Sequence, residues 1–263
     1  MLRTRLKTAF VALPAVIALI VFAPAQLFSA AMVLLALWGL FEIGAMLKAD
    51  RWQWLLIAIA GGIPAIAPLF YRGAVATGWL PCLIVFALMM VLVAQVGASG
   101  ADSAPAGPLL AVLGAVWVGV LFPYFALLRN LGDGIRLTIL MLLLVVACDT
   151  GAYLVGRSLG KIRLLPRVSP NKTVEGAAGG LAGAVIAAIV LRPFLASGWP
   201  LASAALLAIG VGILAQAGDL ANSAFKRVAG VKDSGWIFPG HGGLLDRTCS
   251  LVFPAVLTYY YLH

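Results

Sequence analysis

Long apolar runs constrain this chain more than any other feature of its sequence. Stretches rich in Leu, Val, Ala, Ile and Phe follow one another, separated by short segments that carry charges or turn residues. Because roughly 20 apolar residues in a helix span the hydrocarbon core of a bilayer, these runs predict membrane-spanning helices. The predicted fold class is therefore an all-α, polytopic integral membrane protein with about nine transmembrane helices. We place the spans near residues 9–22, 25–47, 53–70, 79–97, 108–128, 135–156, 174–195, 199–219 and 249–262.

Composition excludes the soluble classes of protein. Of 263 residues, 63% are hydrophobic and 10% are charged, whereas a soluble domain is about 45–50% apolar and about 25% charged. So few charges cannot cover a water-exposed surface, which excludes an ordinary soluble enzyme, a disordered chain and a nucleic-acid-binding domain. The three cysteines show no C-x-x-C spacing, so they predict neither a disulfide framework nor a zinc site.

The basic residues indicate the orientation of the chain in the membrane. With the N-terminus in the cytoplasm, only four of the 18 Lys and Arg residues fall outside: Arg72, Arg129, Arg136 and Arg192. Because cytoplasmic loops are enriched in Lys and Arg, we interpret the net charge of +9 as a topology signal rather than as a nucleic-acid surface. This orientation puts the loops 157–173 and 220–248 on the same, cytoplasmic face. In a bacterium the membrane would be the inner membrane.

Polar residues divide the chain into two regions. Residues 1–134 are a nearly featureless scaffold of about five spans, and residues 135–263 hold most of the polar side chains. Asp149 lies inside the sixth predicted span, and an ionisable residue inside a span is a functional candidate by default. It is either part of a metal or substrate site that is reachable from the cytoplasm, or a carboxylate that is paired with a neighbouring Arg or hydrogen-bonded to the backbone.

The segment from Arg167 to Gly180 predicts the start of a helix. Ser169 suits the N-cap and Pro170 the first helical position. Free N–H groups at such a start bind anions, and Lys172 and Thr173 would add a charge and a hydrogen bond. A capped helix with solvated basic residues is the competing interpretation. The glycines that follow predict close helix packing: Gly176, Gly179, Gly180 and Gly183.

The segment from Gly218 to Ser250 concentrates charges and glycines. Asp219, Ser223 and Lys226 have the spacing i, i+4 and i+7, so they share one face of a helix. Asp219 and Asp246 flank a glycine-rich loop at the inner ends of adjacent spans. Paired carboxylates suit Mg²⁺, which takes oxygen ligands and often shares them with phosphates. Ordinary salt bridges in a solvated loop are the alternative for each single residue.

The order of residues from Ser223 to Arg247 resembles the signature of the phosphatidate cytidylyltransferase (CDP-diacylglycerol synthase) family. The matching pattern is S-x-F-K-R-x4-K-D-x-G-x2-F-P-x-H-G-G-L-x-D-R. Shorter pieces at Cys148–Tyr153, Ser169–Gly176 and Gly218–Leu220 resemble the same family, so that the resemblance covers roughly residues 145–251. One position departs from the pattern, which normally continues D-R-x-D: Cys249 stands where the last carboxylate is expected. A soft thiol is a poor Mg²⁺ ligand, which leaves a catalytically impaired family member open.

The resemblance implies an enzyme that transfers CMP from CTP to phosphatidic acid and gives CDP-diacylglycerol and pyrophosphate. The implied cofactor is Mg²⁺, and a second cation is left open. The implied metal ligands are Asp219, Asp246 and Asp149. The implied catalytic residues are Asp219, Asp246, Lys226, Arg247, Ser223 and His241. The implied substrate-binding residues are Ser169, Asn171, Lys172, Thr173, Arg227, Lys232, Asp233 and Arg167. The partners would be CTP, phosphatidic acid and membrane lipid, without nucleic acid, and a homodimer stays open.

Two other functions compete with this one. A CTP-dependent transferase acting on another lipid acceptor would carry the same motif, because the motif concerns the nucleotide and the metal rather than the lipid tails. A transporter would spread charged residues through the depth of several spans, whereas here they gather at one face. We also expect Ser234, in the polar loop, to be accessible to a labelling reagent from the cytosolic face.

Overall fold

A computed structural model of the chain describes residues 14–70, 79–103, 107–237 and 242–261. These ranges are mostly helical. The helices are α1 (14–22), α2 (Ala25–Met46), α3 (Arg51–Ile57), α4 (Ile63–Phe70), α5 (Trp79–Ser99), α6 (Pro108–Leu121), α7 (Pro123–Arg129), α8 (Gly134–Leu159), α9 (Val174–Leu195), α10 (Leu201–Val228) and α11 (Leu245–Tyr261). A π-helical segment, Ala58–Gly62, joins α3 to α4, and a short 3-10 helix, Ala101–Ser103, follows α5.

Within the described ranges, six helices are long and apolar enough to cross a membrane, and the chain is a multi-pass membrane protein. They are Ala25–Met46, Pro81–Ser99, Pro108–Arg129, Gly134–Leu159, Val174–Leu195 and Leu201–Val228. The other three predicted spans differ from this pattern. The span near 53–70 is interrupted by the π-helical segment, α11 has 17 residues, and only residues 14–22 of the first span lie in the described ranges. The total of nine spans stays a prediction.

A two-stranded antiparallel hairpin between α8 and α9 is an element that the sequence analysis did not predict. Strand β1 (Arg163–Leu165) pairs with strand β2 (Ser169–Thr173), with Arg163 opposite Thr173. The predicted helix start at Ser169 and Pro170 is therefore wrong. Thr173 is the N-cap of α9, and its hydroxyl accepts a hydrogen bond from the Gly176 N–H. Ser and Thr are both favoured N-caps, and pairing with β1 decides between them by holding Ser169 in extended backbone.

Helices α8 and α9 pack closely through small residues, as the glycines predicted. A side-chain Cβ at Gly183 would lie 2.7 Å from the carbonyl oxygen of Ala147. A Cβ at Gly180 would lie 3.0 Å from the carbonyl oxygen of Cys148. Small residues let helix backbones approach in this way. Helix α10 completes this part of the core with Leu207, Val211 and neighbouring alanines.

The remaining helices form a second, larger core cluster that extends to α10 and α11. Its largest fully buried side chains include Trp117, Tyr124, Phe28, Phe122 and Phe225. Helices α8, α9, α10 and α11 pack against one another. The C-terminal end of α10 contacts the hairpin through Arg227 and Val168 and the N-terminal end of α11 through Lys226 and Asp246, so these three parts meet at one end of the bundle. We call this the polar end, since it carries the side chains described below.

The close approach of α8 and α9 generates a stability prediction. Gly183→Ala forces a Cβ against the backbone of α8, so we expect the free energy of unfolding to fall by about 1–3 kcal/mol, as for other overpacked sites. Gly198→Ala is the matched control, because no atom lies within 4 Å of its added Cβ. Thermal unfolding of the two variants in detergent tests this. Equal midpoints would show that the helices can separate without cost.

Candidate active site

Two lysine–carboxylate pairs lie along the C-terminal half of α10. Lys172, at the end of β2, contacts Asp219 with 2.7 Å between Nζ and Oδ2. Lys226 contacts Asp246, in the first turn of α11, with 2.5 Å between Nζ and Oδ1. The predicted helical spacing of Asp219 and Lys226 is confirmed, since both belong to α10. Each of the two therefore binds an oppositely charged residue from a different element.

Asp246 is the buried anchor of this arrangement, and its side chain is 6% exposed. Its Oδ1 accepts from Lys226 and from Asn222 Nδ2 (3.2 Å). Its Oδ2 accepts from Ser234 N (2.8 Å), Ser234 Oγ (3.1 Å) and Gly243 N (3.1 Å). Burial acts to raise the pKa of Asp246, but Lys226 and the backbone N–H donors outweigh it and lower the pKa. The group is thus held as a carboxylate that joins α10, the loop and α11.

Asp219 is far more accessible than Asp246. Its side chain is 44% exposed, and Asp149 on α8 lies close enough for the charges of Asp219 and Lys172 to act on it. At 1.5 Å per residue, Asp219 lies about 27 Å along α10 from Leu201. A hydrocarbon core is about 30 Å thick, so a span that began at Leu201 would bring Asp219 near its far end rather than to mid-depth.

This accessible group suits a hard cation. Asp149 and Asp219 provide carboxylate oxygens, and Mg²⁺ is commonly bound by one or two carboxylates together with substrate phosphates and water. Within the described ranges no three His, Cys, Asp or Glu side chains form a group that could hold a metal ion by themselves. A divalent ion held by these two carboxylates would complete its coordination with water or other oxygen ligands.

Cys249 lies beside the accessible carboxylate. Its side chain is buried, and its Sγ is 4.0 Å from Asp219 Oδ1. The same Sγ lies 3.9 Å from the carbonyl oxygen of Asp246, one helical turn earlier. The position that departs from the family pattern is thus adjacent to Asp219, and a carboxylate there would face the same space.

The hairpin brings basic side chains to the polar end. Arg227 of α10 donates from Nε to the carbonyl oxygen of Val168 in the hairpin turn, at 3.2 Å. Arg167 Nη1 lies 3.5 Å from the carbonyl oxygen of Gly97 on α5. These contacts show that the loops 157–173 and 220–248 lie at the same end of the molecule, as the sequence predicted.

The other predicted site residues lie around these contacts. Thr173 is buried because it caps α9, whereas Ser169 is half-buried and Asn171 exposed on β2. Ser223 is half-buried on α10. Three charged residues are exposed on or beside the loop: Lys232, Asp233 and Arg247. His241 lies outside the described residues.

Ser234 corrects one expectation about the loop. It is buried, not accessible, because its hydroxyl lies between the carboxylates of Asp246 and Glu42. The neighbouring Trp236 is the exposed position, with 79% of its surface accessible. The composition of the loop predicted that all of its residues are exposed to solvent. Hydrogen bonds to two carboxylates instead bury the Ser234 hydroxyl.

Glu42 is the site residue that the sequence analysis missed. It lies on α2, is 2% exposed, and accepts hydrogen bonds from Trp38 Nε1, Ser234 Oγ, Leu244 N and Leu245 N at 2.7–3.1 Å. One signal could have revealed it. Glu42 is an acidic residue inside a predicted span, which is rare in a lipid environment and marks a functional candidate.

Comparison with known proteins identifies related sequences. The model of the cytidylyltransferase family matches residues 3–263. The phosphatidate cytidylyltransferase of Bacillus subtilis is 44% identical over 152 residues, which is 57% of this chain and 56% of that protein. The phosphatidate cytidylyltransferase of Synechocystis is 45% identical over 136 residues, 51% of this chain and 45% of that protein. The chain thus spans about half the length of the curated relatives that it matches.

The different burial of the two ion pairs generates a prediction. Lys226→Met leaves Asp246 buried without its cation, so we expect the free energy of unfolding to fall by about 3–5 kcal/mol. Lys172→Met, the matched control, removes a partly exposed pair and should cost only about 0–1 kcal/mol. Unfolding in detergent with EDTA measures both. Equal decreases in the free energy of unfolding would contradict the argument from burial. Combining Lys226→Met with Asp246→Asn removes the unpaired charge, so this double variant should regain part of the stability that Lys226→Met loses.

Proposed function

The chain belongs to the cytidylyltransferase family, and on that premise we propose that it transfers CMP from CTP to phosphatidic acid. The products are CDP-diacylglycerol and pyrophosphate. One observation carries the proposal: the carboxylates Asp219 and Asp246 lie with Lys172 and Lys226 at one end of a membrane bundle, beside a basic hairpin. The names of the relatives from Bacillus subtilis and Synechocystis support the same substrates.

The proposed step joins two anions. A phosphate oxygen of phosphatidic acid attacks the α-phosphorus of CTP, and the bond from that phosphorus to the bridging oxygen of pyrophosphate breaks. The second pKa of a phosphate monoester is about 6, so the nucleophile is largely ionised near neutral pH and needs no dedicated base. The protein must then bring the reactants together and neutralise their charge.

The basic side chains at the polar end suit this task. We assign Lys172 and Thr173, with Ser169, Asn171 and Arg167 of the hairpin, to the nucleotide. The phosphates would be neutralised by Lys226, Arg227, Lys232 and Arg247. Ser223, Asp233 and His241 would orient the reacting groups.

We assign Mg²⁺ to Asp219 and Asp149, whose carboxylates share the accessible group with Lys172. Bound there, the ion would neutralise negative charge on the phosphates and on the leaving pyrophosphate. We keep Asp246 as the third ligand, which requires Lys226 to exchange Asp246 for a substrate phosphate.

The membrane setting suits a lipid substrate. Large apolar side chains are exposed near the polar end, among them Tyr153, Leu159 and Ile162, so phosphatidic acid can approach from the bilayer while CTP arrives from water. We propose that this end faces the cytosol of a bacterial inner membrane. The excess of basic residues in its loops supports this orientation.

The reaction is tested with radiolabelled CTP, phosphatidic acid and Mg²⁺ added to the purified protein in detergent. We expect label in the chloroform phase only when phosphatidic acid and metal are both present, and its loss with EDTA. Asp219→Asn should lower kcat by about 10²-fold or more, since a preorganised charge-stabilising group is lost. Asp133→Asn, an exposed carboxylate on another element, is the matched control and should keep full activity.

Two outcomes would overturn parts of this proposal. Near-normal turnover of Asp219→Asn would remove Asp219 from the metal site. If the wild-type chain gives no product, the Cys249→Asp variant separates two explanations. Product from this variant would mean that the wild type is an impaired cytidylyltransferase. No product from this variant would mean that the proposed acceptor lipid or the proposed reaction is wrong.

The orientation is tested by labelling an introduced cysteine. Because Cys82, Cys148 and Cys249 are all buried, Trp236→Cys offers a reactive thiol against a low background. An impermeant maleimide should label it in inverted membrane vesicles and not in intact cells. Gly198→Cys, in the exposed turn between α9 and α10, is the matched position at the opposite end and should give the reverse pattern. Labelling of Trp236→Cys from outside would contradict the proposed topology.

A further inference from the structure

A carboxylate of the N-terminal scaffold holds the loop of the candidate active site. Glu42 lies on α2, 192 residues away in sequence from Ser234. It accepts hydrogen bonds from Ser234 Oγ (3.0 Å), Leu244 N (2.7 Å) and Leu245 N (3.0 Å). Three of its four donors thus belong to the loop or to the first residue of α11, so its contacts serve the site rather than α2 itself.

Glu42 accepts hydrogen bonds from the backbone where α11 begins. The first N–H groups of a helix have no partner inside the helix. Those of Leu244 and Leu245 are directed at Glu42, and that of Gly243 at Asp246. Negative charge is favoured at this end of a helix by the alignment of the backbone dipoles. Two carboxylates, from α2 and from α11, therefore fix the entry into α11.

Ser234 couples the two carboxylates. Its hydroxyl lies 3.0 Å from Glu42 Oε2 and 3.1 Å from Asp246 Oδ2, and its backbone N–H donates to Asp246. A hydroxyl has one proton, so Glu42 and Asp246 share one donor. A change at Glu42 is therefore transmitted to Asp246, and through Asp246 to the Lys226 ammonium at 2.5 Å.

The glycines of the loop admit this carboxylate. A Cβ at Gly235 would lie 2.6 Å from Glu42 Oε1, and a Cβ at Gly243 would lie 2.5 Å from Glu42 Oε2. A side chain at either position would displace the Glu42 carboxylate from the place that it occupies. The sequence of the loop and the acidic residue on α2 are thus fitted to each other.

We propose that Glu42 is a positioning residue of the proposed cytidylyltransferase reaction: it sets the place of Asp246 and Lys226 through Ser234 and the first turn of α11. This inference rests on the proposed function for its effect on turnover. Glu42 acts through these neighbours, so it governs how fast bound substrates react rather than how tightly they bind.

Kinetics of Glu42→Gln test the proposal. Displacing a catalytic group by about 1 Å can cost on the order of 10²-fold in rate, so we expect kcat to fall by about 10–100-fold with the KM for CTP unchanged. Glu42→Asp, which keeps the charge, should recover part of the loss. Ser29→Ala is the matched control, since Ser29 is a buried, hydrogen-bonded residue of the same helix that contacts Asn130 instead of the loop.

A double-mutant comparison separates positioning from general stability. If Glu42 acts through Asp246, the kcat of Glu42→Gln combined with Asp246→Asn should match that of the slower single variant. If the two losses multiply, or if Ser29→Ala lowers kcat as much as Glu42→Gln, Glu42 is only a structural residue and the proposal is wrong.

A spin label attached to Trp236→Cys reports the loop without any reaction. We expect Glu42→Gln to make this label more mobile and Ser29→Ala to leave it unchanged. An immobile label in Glu42→Gln would overturn the contact between Glu42 and the loop. If the wild-type protein makes no product from CTP and phosphatidic acid, the proposed function is wrong instead. The mobility of the spin label still reports whether Glu42 restrains the loop in that case.

Discussion

The contacts of one buried carboxylate, Asp246, organise the polar end of this membrane protein. Burying a charge is costly unless it is paired and hydrogen-bonded. Asp246 meets that condition by drawing Lys226 and Asn222 from α10 and two backbone N–H groups from the loop. The loop therefore has a defined path, and the end of α10 is joined to the start of α11.

The second ion pair differs in what it leaves available. Asp219 forms an ion pair with Lys172, and its side chain is 44% exposed. Asp149 lies within reach of its charge. The two Lys–Asp pairs thus differ in their surroundings: the buried Asp246 joins the loop to α10 and α11, whereas Asp219 presents carboxylate surface at the polar end.

The N-terminal scaffold contributes to the site as well as to the bundle. Glu42 reaches the loop from α2 and supplies the acceptors that the first N–H groups of α11 require. Most sequence signals of function lie in the second half of the chain, yet the loop that carries them is held by the first half. A site divided in this way needs both halves to be packed before its charges are in place.

The sequence by itself determined the membrane class, the approximate positions of the long apolar helices, the close packing of the glycine-bearing helix α9 and the grouping of Asp219, Ser223 and Lys226 on one helix. These features depend on composition and on local periodicity, which are properties of neighbouring residues. Only the tertiary structure decided that Ser169–Thr173 is a strand, because that depends on pairing with β1. It alone decided that Ser234 is buried and that Glu42 caps α11, since these contacts join residues nearly 200 positions apart. A hydrogen-bond partner from another helix leaves no pattern in the local sequence, which is the physical reason why these assignments required the folded structure.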